Sequence, residues 1–191
     1  ELEHLIVLGS VQGFEVEDSR VGTLPHIRIN SLGRRVNLYR DISAWLEIRK
    51  VVRTYKPDLI NSHTFKAGLL SRLYPLGIPV LHTFHGHLLH DPEFSPLVRK
   101  LIVFVERILA RRSIALSVTG RRVQIELEEA GIRHQRWFSI VPGLEELVPI
   151  SREEGLSQLK IEDADQFDLI VGWHSRFAHV KNVPLILELA S

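Results

Sequence analysis

Apolar and polar positions along this 191-residue chain follow two rhythms, short apolar runs and longer stretches of helical period. His4 to Gly9, HLIVLG, is a continuous apolar run of the buried-strand kind, opening directly onto a glycine. Polar residues 14–24 read as loop, and His26 to Ile29 as a short strand. From Leu38 to Tyr55 the period becomes helical: Leu38, Ile42, Trp45, Leu46, Arg49, Val52 and Tyr55 share a spacing, with Arg and Lys interleaved on the outer face. Asp58 to Ser62 is the next strand. A helix over Lys66 to Leu73 follows, capped by Ser62 or Thr64 and turning Leu69, Leu70 and Leu73 inward. Gly77 ends that helix, and Ile78 to Phe84 forms another strand. Strands joined by a helix of this length must be parallel, so Asp58 to Phe84 is a right-handed βαβ unit of an α/β sheet. The pattern continues with a helix over Leu97 to Arg112, a strand over Ile114 to Val118 and a helix over Gly120 to Ala130 closed by Gly131. A strand over Phe138 to Val141 comes next. Residues 144–166 are acidic and read as an irregular linker; Asp168 to Trp173 reads as a strand, and Val183 to Ala190 as a helix with Pro184 in its first turn.

Ligands of open α/β sheets bind beyond the carboxyl ends of the strands. His63 and Thr64 fall at one such end, and His85-Gly86-His87 at another. His85 is the strongest candidate, because an imidazole offers a donor and an acceptor together to a hydroxylated ligand. Gly86 lets backbone approach a ligand closely. His63, Thr64 and Lys66 lie where a strand gives way to a helix, and the free N–H groups and dipole there favour an anion; capping alone, with Lys66 solvated, is the plain alternative. Histidines 82, 85, 87 and 90 raise the question of a metal. Along a strand, His82 and His85 point to opposite faces and only His85 and His87 share one. With no cysteine or nearby carboxylate pair to complete a ligand set, a metal site is not expected.

Composition narrows the class. Hydrophobic content of 45% and charged content of 25% suit an ordinary globular protein. No apolar run approaches bilayer length, and the first residues lack a signal-peptide layout. The absence of cysteine removes disulfide and thiolate chemistry and is compatible with a reducing cytoplasm. The absence of methionine suggests an excerpt of a longer chain. A net charge of +1 hides a strong asymmetry: residues 20–136 carry a surplus of +11, whereas residues 137–191 carry −5. A basic block suits an anionic partner, or is simply a solvated surface. The helix over Leu97 to Arg112 combines a consecutive apolar run with five cations, which fits an anionic membrane interface as well as it fits a buried helix with charged ends. Nucleic acid is not expected, because no basic patch is interleaved with stacking aromatics. Gly9 and Gly13 are too sparse to form a phosphate cradle.

The blocks Ser62-His63-Thr64-Phe65-Lys66-Ala67-Gly68 and His82-Thr83-Phe84-His85-Gly86-His87 together resemble the amino-terminal half of a retaining glycosyltransferase of family 4, of the subset that builds bacterial surface polysaccharides. The resemblance implies a GT-B fold, in which residues 1–143 form a Rossmann-like acceptor-side domain without its first strand and glycine-rich turn. Residues 144–166 would be the interdomain linker, and residues 167–191 the first strand and helix of a second, donor-binding Rossmann-like domain. By the same resemblance His85 is the active-site histidine against the donor sugar. His63, Thr64, Lys66, Gly86 and His87 lie on the acceptor or substrate side, and Arg34 and Arg35 sit in the family's loop before its first long helix. Pro142-Gly143 matches the turn that closes the first domain, but lacks the asparagine the family places between them. The stretch Ser175 to Asn182 resembles the opening of the second domain, where Arg176 and Lys181, five residues apart, would grip the donor diphosphate. Ser175 stands where the family has glycine. Arginine offers phosphate a bidentate fork and lysine a point charge, so two cations can neutralise a departing diphosphate without a divalent ion.

The expectation is therefore a transferase that moves a sugar from a nucleoside-diphosphate sugar, uridine-linked, to a lipid-linked or polysaccharide acceptor. It would need no cofactor or obligatory metal, and would act in the cytoplasm, peripherally at the inner face of the plasma membrane. The isolated stretch is expected to be inactive, since the later acidic motif that holds the donor's sugar and ribose lies outside it. Two other classes compete: a nucleotide-sugar 2-epimerase of the same fold, which does not call for a basic apolar helix, and a non-catalytic module binding anionic membrane surfaces.

Overall fold

A computed structural model describes residues 3–11, 16–33, 36–73, 76–86, 95–141, 143, 148–173 and 182–189. These residues divide into two compact units, one within residues 3–141 and the other within residues 143–189.

The first unit is α/β, with parallel sheets flanked by helices. Strands β1 (Ile6–Leu8) and β2 (His26–Arg28) pair in parallel, with Ile6 opposite His26 and Leu8 opposite Arg28. A four-stranded parallel sheet takes the order β3 (Ile60–His63), β4 (Val80–Phe84), β5 (Ala115–Val118), β6 (Trp137–Ser139). Three helices make its crossovers: α2 (Phe65–Leu73), α3 (Pro96–Ala110) and α4 (Arg121–Glu129). The helix α1 (Leu38–Tyr55) leads from β2 into β3. Each crossover steps the same way through the sheet, so the right-handed rule places these helices on one face, where α2 packs against both α1 and α3.

Local chemistry explains the helix ends. Asn37 caps α1 by accepting from the Arg40 N–H, and Asp41 adds an acid to the first turn, where the positive end of the helix dipole favours it. Ser95 caps α3 by accepting from the Val98 N–H, and Pro96 follows at a position whose N–H would have no helical partner. Beyond α4, Gly131 takes φ +80°, the left-handed turn that closes many helices. The entry to α2 differs from expectation. Ser62 does not cap it; its hydroxyl turns inward to His82 and the Leu81 carbonyl. Thr64 instead enters the helix through its carbonyl, which accepts from the Gly68 N–H.

Among the described residues, two clusters form the core. Phe84, Ala110, Leu116, Val118, Leu127 and Ile132 pack between the β4–β5 pair and helices α3 and α4. Ile29, Ala44 and Leu70 join β2, α1 and α2, with Leu32, Trp45 and Ile48 against them. The buried faces of α1 and α2 match those expected only in part: Val52 and Leu70 are buried and Trp45 packs against the core, but other expected positions are not. Ala44 and Val52 are buried on α1, while Leu38, Ile42 and Leu46 are exposed. On α2, Leu70 is buried with Gly68, Ser71 and Arg72, and Leu73 lies at the surface.

In the second unit, the stretch expected to be irregular carries the helix α5 (Arg152–Gln158), capped by Ser151 and with Glu153 and Glu154 in its first turn. Residues 168–173, expected as a strand, form none: a strand is defined by its ladder, and among the described residues none pairs with this segment. Helix α6 (Val183–Leu189) lies where a helix was expected. Among the described residues, no helix is long and apolar enough to cross a membrane.

Candidate functional site

Strands β3 and β4 run parallel with His63 opposite Thr83, so their carboxyl ends emerge side by side. His63 ends β3 and His85 follows the last residue of β4. The two imidazoles meet: His63 Nδ1 lies 2.7 Å from His85 Nε2, with ring centroids 5.0 Å apart and planes tilted by 36°. Both side chains are exposed. Such a contact needs one ring N–H and one bare ring nitrogen, so at least one of the two rings is neutral. Partial desolvation of the His63 ring by its surroundings, and then the neighbouring His85, push its pKa below the ordinary histidine value of 6.5. When His63 donates, the proton of His85 is left on its outward Nδ1, a donor available to a hydroxylated ligand.

The backbone around the pair is unusual. Gly86 has φ +105°, and a Cβ there would meet only Val123 Cγ2 at 3.8 Å. Conformation rather than space therefore requires glycine at this turn. Thr64 has φ 68°, a left-handed conformation that a β-branched residue adopts at a cost of about 1–2 kcal/mol. Strain of this kind persists where surrounding structure holds it, often beside functional groups.

Lys66 is engaged. Its Nζ lies 2.8 Å from Asp41 Oδ1, both side chains mostly buried, which ties the first turn of α2 to the first turn of α1. Nothing local to residues 58–90 announces this partner, since Asp41 lies 25 positions away and reads simply as a first-turn acid. Beneath the pair, Thr83 donates to Asn61 Oδ1 at 3.0 Å, and the Ser62 hydroxyl meets His82 Nδ1 at 3.0 Å. His82 is 1% exposed and stacks edge-on against Phe84. Burial, reinforced by the Arg72 guanidinium, holds its pKa down to about 2, so this ring is neutral.

The structure thus brings together His63, Thr64, His85 and Gly86, with Lys66 one turn away on α2 and held by Asp41. His87, Arg34, Arg35, Arg176 and Lys181 lie outside the described residues. Among the described residues, no three or more histidine or acid side chains converge to hold a metal. A separate cleft of about 580 Å³ lies between α3 and α4, lined by Arg99, Lys100, Arg107, Glu126 and Glu129 among others.

A parallel α/β unit with its polar side chains gathered at adjacent strand ends is a Rossmann-like ligand-binding domain. Residues 4–143 match the family described as glycosyl transferase 4-like domain, and the chain belongs to that family. It is 26% identical over 164 residues to a protein of Bacillus subtilis (strain 168) that carries the name "Putative glycosyltransferase EpsD", a match covering 80% of this chain and 42% of that one. It is 31% identical over 61 residues to the UDP-Gal:alpha-D-GlcNAc-diphosphoundecaprenol alpha-1,3-galactosyltransferase of Escherichia coli, covering 30% of this chain and 16% of that enzyme. The chain therefore spans less than half the length of either relative.

Proposed function

We propose that the protein containing this chain is a retaining glycosyltransferase. It moves a hexosyl group from a uridine-diphosphate sugar to a lipid-linked or polysaccharide acceptor, without an obligatory metal. The observation that carries this reading is the His63–His85 contact at the ends of neighbouring parallel strands, in a chain of the glycosyl transferase 4-like family. The name of the E. coli relative, with its uridine-diphosphate donor and diphosphoundecaprenol acceptor, supports the choice of substrates.

In this mechanism His63 fixes the ring of His85, and the outward nitrogen of His85 donates to a hydroxyl of the donor sugar. That bond fixes the orientation of the sugar while the glycosidic bond to the diphosphate breaks. Thr64, Gly86 and His87 shape the acceptor side, and Lys66 with its Asp41 partner holds the turn in place. Arg176 and Lys181 neutralise the charge that develops on the departing diphosphate, the service a metal performs elsewhere.

The test uses the full-length enzyme with a uridine-diphosphate sugar and a diphosphoundecaprenol-linked sugar acceptor. His85→Ala is expected to lower kcat by about 10²–10³-fold, the usual loss on removing one preorganised donor. Arg176→Ala/Lys181→Ala should lose donor binding as measured by calorimetry with uridine diphosphate. Unchanged transfer by His85→Ala sinks the assignment, and so does conversion of the nucleotide sugar to its 2-epimer with no acceptor consumed.

A further inference from the structure

Two side-chain bonds cross from β3 to β4 just before these strands end at the histidine pair. On the face turned to α2, where Gly68 lies against the His82 ring, the Ser62 hydroxyl meets His82 Nδ1 at 3.0 Å. On the opposite face, the Thr83 hydroxyl donates to Asn61 Oδ1 at 3.0 Å. Alternate residues along a strand share a face, and so do neighbours in parallel register. His63 is opposite Thr83 and two residues beyond Asn61, so the second bond lies on the face that bears the His63 side chain. Thr83 is buried and its hydroxyl must find a partner, whereas Asn61 is exposed and needs none from the protein. The core accounts for the first bond and not for the second.

We propose that Asn61 and Thr83 are positioning residues for the His63–His85 pair. Among the described residues β3 pairs only with β4, and His63 opposite Thr83 is the last pair in register. The next residue, Thr64, is held at φ 68°, so the strand leaves the sheet through a strained turn. A strand end of this kind frays readily. The contact between the two imidazoles spans 2.7 Å, and a hydrogen bond weakens steeply as its geometry opens. The Asn61–Thr83 bond pins the end of β3 to β4 directly below His63, which keeps its ring in reach of His85 and each ring in a single tautomer. The inference deepens the proposed transfer and rests on it, because His85 is there the group that meets the donor sugar.

Ring-nitrogen NMR of the isotope-labelled chain reads the positioning without any sugar transfer, so it fails separately from the glycosyltransferase assignment. At about pH 8 an imidazole free in water is neutral and exchanges between its two tautomers, which averages its nitrogen signals. In wild type, His63 and His85 are each expected to show one bare and one protonated nitrogen. Thr83→Val, close in shape but without the hydroxyl, should return both rings to averaged signals. Asn61→Ala, a change at an exposed position, should do the same with the backbone amide spectrum otherwise intact, and it decides alone where Thr83→Val does not fold. Thr83→Ser, which keeps the hydroxyl, should retain the wild-type pattern. In the full-length enzyme, Thr83→Val should lower kcat by up to about 100-fold with KM for the donor unchanged. It should add no further loss to His85→Ala, as expected of residues that act as a unit. Fixed tautomers in both Thr83→Val and Asn61→Ala, or averaged signals in wild type, overturn the proposal. So does a kcat loss that multiplies with that of His85→Ala.

Discussion

His82 and His85 lie three residues apart, yet one is 1% exposed and the other faces solvent. The alternation of a strand puts them on opposite faces, and that much was legible in the sequence. Their partners were not: His85 is met by His63, 22 positions away, and His82 by Ser62, 20 positions away. Both His82 and His63 have folded pKa values below the unfolded value of 6.5. Below that value the unfolded chain binds protons that the fold refuses, so stability falls as pH drops from 6.5 and continues to fall until the folded groups themselves titrate. Replacing His82 by Gln, which keeps a side chain able to bond Ser62, removes about one proton from this linkage. Urea titrations across acidic pH should therefore show a shallower loss of stability for His82→Gln than for wild type. Parallel curves would mean that His82 is not held neutral in the fold.

At the scale of the element, α2 shows how far periodicity reaches. Its existence and approximate place were legible, because an apolar strand and a short helical run follow in order. Its buried face was not, because the residues it turns inward include Gly68, Ser71 and Arg72. Arg72 Nη2 lies 2.9 and 3.0 Å from the two carboxylate oxygens of Glu106 on α3, and both side chains are fully buried. A Cβ on Gly68 would fall 2.6 Å from Arg72 Nη2 and 2.7 Å from His82 Nδ1, so glycine here makes room for the guanidinium and the ring. A buried pair of this kind adds little net stability, but removing one partner strands a charge in a low-dielectric interior. Glu106→Ala should cost about 3–5 kcal/mol in denaturant unfolding. The double variant Arg72→Met/Glu106→Met should recover most of that loss. A double variant as unstable as Glu106→Ala would show that the charges themselves hold α2 to α3.

At the scale of the whole molecule, both core clusters draw, among the described residues, only on those between Ile29 and Trp137. A chain ending at Val141 should therefore keep the unfolding midpoint of the first unit, read by tryptophan fluorescence from Trp45 and Trp137. A large drop would mean that residues 143–191 complete its core. The second unit was the less legible part of the chain. An acidic, apolar-poor stretch read as linker folds into α5 because a serine cap and two first-turn acids suffice for a short helix. An apolar run at 168–173 reads as a strand, but strand hydrogen bonds require a neighbour that sequence pattern does not supply.

By itself the sequence determined the order and type of most elements, the parallel sheet and the strand ends where polar side chains gather, because periodicity, caps and glycines act within a few residues. Tertiary structure alone decided which helix faces are buried, that Lys66 is held by Asp41, that Arg72 and Glu106 form a buried pair, and that His63 reaches His85. The three side-chain pairs join residues 22 to 34 positions apart, and the chain makes such contacts only when its strands and helices are packed.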